Sequence, residues 1–221
     1  MSLVTNAQWE IMSLDQRRER EKQDRRDSIL DAAELVFFAK GFEKSSMDEI
    51  ARTAQLSRAL LYVYFKDKAA IMRGLMLRAG RALRDRFEAA VEQSDLGAEQ
   101  IGHIGRAYYL FSVEEPDYFD VLTKASTFEH LAEEDEQSKA LQACGVEAMN
   151  IMIGALNKGV ADGSLSRERV ADPLMTAYFL RGALHGVIMQ SSKSAEMEPN
   201  RPELETQVNY TLQMLNQSMR P

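Results

Sequence analysis

The chain is short of the residues that several kinds of protein depend on. It has one cysteine, Cys144, which excludes an intrachain disulfide and a cysteine-based zinc site. Its 12 glycines and 5 prolines are few for 221 residues, and an all-β chain punctuated by turns needs more of both. No apolar run approaches the roughly 18 residues that cross a bilayer, and mean hydropathy is -0.35. His103, His130 and His185 are scattered, with no two at ligand spacing on one helix, so neither a metal nor another cofactor is expected. The stretch from Met1 to Ile11 carries Asn6, Gln8 and Glu10 where a signal peptide needs an apolar block. A cytoplasmic protein with no membrane segment is the expectation.

A net charge of -7 argues against a nucleic-acid partner only if it is spread evenly. It is not. Residues 1–68 hold 12 basic and 12 acidic residues, which leaves 15 basic and 22 acidic for the remainder. The acidity belongs to the later part of the chain and leaves the first part open to an anionic partner.

What is present is helical periodicity. Ile29, Leu30, Ala33, Val36 and Phe37 share one helix face, and the run stops at Gly41. Ser46-Met47-Asp48-Glu49 reads as a capping box ahead of a short helix that carries Met47, Ile50, Ala51 and Ala54. Ser57 caps the next helix, and Asp67 caps a long one over about 68–93. Further helices are expected near 98–113, 116–125, 136–161, 173–193 and 202–218. Asp172-Pro173 starts the fourth of these, Asn200, Pro202 and Glu203 start the last, and 191–200 reads as loop. The spacing predicts an all-α protein of about nine helices, with a flexible polar tail over 1–23.

Residues 59–65 would be a strand on composition, but the caps on either side favour a helix. On a helical wheel Leu60, Leu61, Tyr64 and Phe65 share one face. Arg58, Ala59, Tyr62, Val63 and Lys66 share the other, which offers too little charge for a solvated surface. That mixture suits a face that docks into a groove, where Arg forks onto guanine and small apolar groups meet thymine methyls. The plainer alternative is a helix buried on both faces.

Two helices joined by a turn of about three residues, the second with a docking face, form a helix-turn-helix. The surrounding stretch carries a fuller pattern. It runs from Arg26 through Ile29-Leu30-Asp31-Ala32-Ala33 and Phe37-Phe38-Ala39-Lys40-Gly41-Phe42. It continues through Ser45 to Ala51 and Leu56-Ser57-Arg58 to Leu61-Tyr62-Val63-Tyr64-Phe65-Lys66-Asp67-Lys68. With this pattern, residues 25 to 75 resemble the N-terminal domain of the TetR family of bacterial transcriptional regulators. The resemblance implies a three-helix DNA-binding domain over 24–68 and a helical ligand-binding and dimerisation domain over 69–221. Ala161-Asp162-Gly163-Ser164-Leu165 followed by Asp172-Pro173 is similar to the family's second domain. The family usually has glycine in the turn where this chain has Gln55, and a non-glycine residue held left-handed there costs roughly 1 kcal/mol.

The resemblance also implies roles. Arg58, Ala59 and Val63 face base edges, and the hydroxyls of Tyr62 and Tyr64 lie near phosphates, unless Tyr64 belongs mainly to the core. Lys44, Ser45 and Ser46 at the start of the second helix favour a phosphate, and Lys66 and Lys68 add charge beside the fourth. Arg26, with Arg25, reaches the backbone or the minor groove, or else belongs to a solvated face on which Glu21 pairs with Arg25.

The second domain is expected to enclose a small, mostly apolar effector among Ile104, Tyr108, Phe111, Phe119, Phe128, Cys144, Ala148, Met152, Tyr178 and His185, although for any one of them ordinary core packing is the commoner role. Gly182, Ala183 and Gly186 thin one face of the 173–193 helix. With Val187, Tyr210, Leu212 and Leu215 they suggest a contact that the family implies is a four-helix homodimer interface, unless the glycines serve a crossing within the chain. The expected function is a ligand-responsive repressor that binds an inverted-repeat double-stranded DNA operator as a homodimer. The alternatives are a helical enzyme or an interaction module without DNA binding. A di-iron enzyme needs Glu-x-x-His pairs, which are absent, and a module that had lost DNA binding would show an acidic or disrupted recognition face, whereas Arg58, Lys66 and Lys68 remain.

Overall fold

The computed structural model describes residues 13–123, 136–194 and 201–221, with the side chains of 191–194 excepted. All regular structure among the described residues is α-helical: α1 Leu14–Lys40, α2 Met47–Thr53, α3 Arg58–Tyr64, α4 Lys68–Val91, α5 Gly97–Glu114, α6 Pro116–Thr123, α7 Glu136–Asp162, α8 Pro173–Ser194 and α9 Leu204–Met219. None of these helices is long and apolar enough to cross a membrane. The chain divides into two compact units, Met1–Leu75 and Met76–Pro221, and α4 carries the backbone from one into the other.

In the first unit, α1 starts earlier than its apolar face does. Ser13 accepts the Gln16 N–H at 3.2 Å, the Gln16 side chain accepts the Ser13 N–H at 2.9 Å, and Arg18–Asp15 and Lys22–Glu19 pair one turn apart. Residues 14–23, read from the sequence as tail, are therefore helical. Ile29, Leu30, Ala33, Val36 and Phe37 are buried along the second half of α1. Gly41 ends the helix at φ 83, a left-handed conformation that favours glycine, and the Phe42 ring turns back to 5.5 Å from Phe37. Ser46 and Glu49 form the expected capping box on α2, and the Ser57 hydroxyl accepts the Leu60 N–H on α3. Between α2 and α3, Gln55 takes φ 56, the only left-handed non-glycine residue among those described. Leu61 and Phe65 are fully buried beneath α3.

The second unit contains two apolar clusters. One gathers Phe87, Ile101, Ile104, Met152, Leu156 and Leu180, and the other Tyr109, Phe111, Phe119, Leu184, Ile188 and Val208. The first turn of α5 lies directly on the end of α7. A Cβ added to Gly97 would fall 2.5 Å from the Ala155 carbonyl oxygen and nearer still to the Gly159 backbone, so this crossing requires glycine. Leu96, which precedes α5, has no capping side chain, and the cap comes from the far end of α7. The Asp162 carboxylate accepts the Gly97 N–H at 2.8 Å and the Ser164 hydroxyl accepts the Ala98 N–H at 3.1 Å. Hydrogen bonds from Ser164 and the Gly97 amide hold the Asp162 carboxyl below its usual range. Asp172 caps α8 through the Met175 N–H, as its sequence suggests. The last helix begins at Leu204 after Glu203, so Pro202 precedes it rather than opening its first turn.

Candidate nucleic-acid interface and effector cavity

Helix α3 is short, capped at Ser57, and anchored through Leu61, which leaves its opposite face outward. Arg58, Ala59, Tyr62 and Val63 are all exposed there, Val63 at 76%. A valine that is three-quarters bare on a helix with one buried anchor gains nothing from folding alone. Arg58 is held in place: its guanidinium pairs with Asp48 on α2 at 3.1 Å and lies 5.6 Å from the Tyr62 ring centroid. The Tyr62 hydroxyl, and then the Asp48 charge, push the Arg58 pKa up and keep it cationic. Asp48 was not singled out in the sequence, where ten residues separate it from Arg58 and no local period joins them.

The other polar residues singled out around this helix divide into two groups. Lys44, Ser46 and Lys66 are exposed, although the Ser46 hydroxyl is engaged with Glu49. Ser45, Lys68 and Arg26 are built into the frame. The buried Ser45 hydroxyl donates to the Gly41 carbonyl at 2.6 Å. Lys68 Nζ donates to the Phe42 and Ser45 carbonyls at 2.6 and 3.0 Å and sits 4.2 Å from the Phe42 ring centroid. Arg26 donates to the Tyr64 carbonyl at 2.9 Å with its guanidinium 4.4 Å over Phe65. These three side chains fix the ends of α1, α3 and α4 and so set the pitch of α3. Tyr64 is only partly exposed, at the same junction.

The second unit holds a cavity of about 310 Å³, at the small end of ligand pockets. Of the expected effector residues, Ile104, Tyr108, Cys144, Ala148 and Met152 line it. Phe111 and Phe119 are buried away from it, edge to face at 6.4 Å between ring centroids, with the Phe119 ring 5.5 Å from that of Tyr108. His185 is joined to Tyr108, whose hydroxyl lies 2.8 Å from Nδ1, without itself lining the space. Tyr178 is half exposed and outside the cavity, and Phe128 lies outside the described residues. Gly80, Leu83 and Phe87 of α4 and Arg181 and Asn216 join the wall. Arg181 left a trace in the sequence as the only charged residue between Pro173 and Ser192.

The cavity's polar groups are few. Burial pushes the Tyr108 phenol up to about 12, so it remains a hydroxyl. Burial, followed by the positive Arg181, pushes the His185 imidazole below its usual value of 6.5, so it remains neutral and Nδ1 can accept the Tyr108 proton. The Asn216 amide donates to the Ala98 carbonyl at 3.4 Å, and its buried Oδ1 has no hydrogen-bond partner. Cys144 is a buried thiol whose pKa is raised by burial.

The residues proposed for self-association also separate. Cβ atoms added to Gly182 or Gly186 would meet nothing within 4 Å, so these positions face outward, and Tyr210 is 65% exposed. Ala183 and Val187 are half-buried, while Leu212 and Leu215 line the cavity. Around the glycines α8 exposes Leu174, Met175, Tyr178 and Phe179, and α9 exposes Met214.

Comparison with known proteins agrees with this architecture. Residues 29–75, which span α2 and α3 with the helices that carry them, match the profile described as bacterial regulatory proteins, tetR family. The chain is 27% identical over 177 residues to the HTH-type transcriptional repressor BepR of Brucella suis biovar 1 (strain 1330), which covers 75% of this chain and 83% of that protein. Its fold is shared by a Rhodococcus sp. RHA1 protein of unknown function, at a TM-score of 0.73 and 17% identity over 89% of this chain and 96% of that one. It is shared also by the Bacillus subtilis transcriptional regulator FadR in complex with stearoyl-CoA, at a TM-score of 0.60 and 20% identity over 87% and 98%. The helix-turn-helix stretch over residues 29–75 thus matches the TetR family of bacterial transcriptional regulators, and the chain as a whole is similar to regulators of that family.

Proposed function

We propose that the protein is a repressor that binds an inverted-repeat operator as a homodimer and releases it when a small, mostly apolar effector enters the cavity of the second unit. The observation that carries this reading is the outward face of α3, where Arg58, Ala59, Tyr62 and Val63 stand bare on a helix anchored by Leu61. An Arg beside small apolar groups matches the guanine edge and thymine methyls of a major groove. Lys44 and Lys66 supply flanking phosphate contacts, while Ser45, Lys68 and Arg26 hold the frame.

The exposed apolar surface of α8 and α9, from Leu174 to Phe179 and at Tyr210 and Met214, is the proposed dimer contact, with Gly182 and Gly186 letting the partner helix approach. The BepR relative is named a repressor and FadR holds an acyl-CoA, which supports both halves of the reading. The two halves are linked by α4, a continuous helix from Lys68, tied to the Phe42 and Ser45 carbonyls, to the cavity residues Gly80, Leu83 and Phe87. A coupling of about 1–3 kcal/mol suffices to release an operator. Footprinting of genomic fragments bound by the purified protein tests the reading. Two half-sites with centres about 34 Å apart are expected. A single asymmetric half-site protected at full affinity would refute the dimeric repressor.

A further inference from the structure

Three arginines around the core of the second unit are paired with carboxylates. Arg84 pairs with Glu147 at 2.9 Å, Arg86 with Glu114 at 2.7 Å, and Arg106 with Glu205 at 2.7 Å. Arg181 is the only charged side chain among the described residues that line the cavity, and no described carboxylate pairs with it. Softer contacts hold it instead: its guanidinium is 4.9 Å from the Tyr178 ring centroid and one N–H points to the Met149 sulfur at 3.7 Å. Its charge is felt inside, since it opposes the rise of the Tyr108 pKa and adds to the fall of His185.

An unneutralised guanidinium beside apolar walls attracts an anion and repels a cation. Its planar fork fits a carboxylate, and a single such group suits a monoanion better than a phosphate dianion, which calls for more than one cation. We propose that the cavity takes an amphipathic carboxylic acid, its carboxylate on Arg181 and its apolar body among Leu83, Ile104, Ala148, Met152 and Leu212. The proposal rests on the reading of this cavity as the effector site.

Calorimetry on the full chain, with saturated acids from octanoate to palmitate against the alcohols and alkylammonium ions of equal length, tests it. The best acid is expected to bind about tenfold more tightly than its alcohol, the difference made by a charge-assisted contact, with the ammonium weakest. Arg181→Gln is expected to erase the acid's advantage and leave the alcohol's affinity unchanged, and Arg181→Lys to restore part of it. Equal binding of acid and alcohol by the wild type would overturn the acid assignment and leave the effector cavity standing. Failure of every probe to bind would overturn the proposal, and operator release by a neutral compound would then show that the effector reading survives it. If Arg181→Gln altered self-association and not ligand preference, the side chain would belong to the subunit contact and the proposal would fall.

Discussion

Replacing Gly97 with alanine tests how closely α5 and α7 are joined. The new methyl group would sit 2.5 Å from the Ala155 carbonyl oxygen, where ordinary contact begins near 3.4 Å. The nearest obstacle is the Gly159 backbone, closer than that oxygen, so no side chain can rotate away and the two helices must part by more than about 1 Å. Overpacking of this kind costs typically 1–3 kcal/mol, and a rigid obstacle puts Gly97→Ala at about the upper end, 3 kcal/mol. For a chain of this size each kcal/mol moves Tm by about 2–4 °C, so a fall of about 6–12 °C is expected. Gly154→Ala, on α7 itself, is the control, because a Cβ there meets nothing within 4 Å. It gains about 0.5–1 kcal/mol from helix propensity and is expected to melt slightly higher than the wild type. Thermal and urea unfolding followed by far-UV circular dichroism reads both variants. A Gly97→Ala protein as stable as the wild type, or the two variants moving together, would refute the close crossing.

Three further outcomes are expected. Arg58→Ala is expected to cost about 1–3 kcal/mol and relax preference at one position of each half-site, while Lys66→Ala weakens all sequences alike and lowers the salt slope by about one; anisotropy titrations that showed the same change in both would mean the docking face is misassigned. Gln55→Gly relieves a left-handed residue that costs about 1–2 kcal/mol, less the roughly 0.5–1 kcal/mol of freedom glycine gains when unfolded, so a higher urea midpoint at constant slope is expected and a lower one would refute the strain. The lowered His185 pKa contributes stability that is fully present above the unfolded value of 6.5 and is lost as pH falls through the folded value, because the unfolded chain takes up the proton first; His185→Gln is expected to flatten that acid-side decline, and an unchanged profile would remove the residue from the account.

The helix starts were legible because their determinants are local. Ser46 with Glu49, Ser57, Asp67 and Asp172 each cap within three residues, and those caps form as the sequence suggests. The start of α5 was not legible in that way, because its cap comes from Asp162, 65 residues beyond Gly97. The same division runs through the candidate sites. The wheel separates Leu61 from Val63 correctly, but it cannot tell that Leu60 remains 38% exposed or that Phe111 packs solid while Tyr108 borders a space. An inward direction is a property of one helix, whereas a void depends on the side chains of five others. Ser45, Lys68 and Arg26 teach a related lesson. A sequence displays a donor, and only the fold reveals that a carbonyl has already claimed it.

The crossing of Gly97 over Gly159, closed by Asp162 and Ser164, works as the rivet of a pair of tongs. The two backbones already touch there and cannot approach further, and moving them apart breaks the hydrogen bonds from the Gly97 and Ala98 amides. The cavity residues of α7, from Leu141 to Met152, all lie up the helix from the rivet, and those of α5 begin at Ile101, just past it. An occupant larger than the resting space is therefore expected to swing the jaws rather than slide them. Displacement would grow with distance from Gly159, be least at Ala155 and be greatest near Leu141 and Cys144. A spin label at Val146→Cys, exposed two residues beyond the buried Cys144 thiol, would sit close to where that swing is widest.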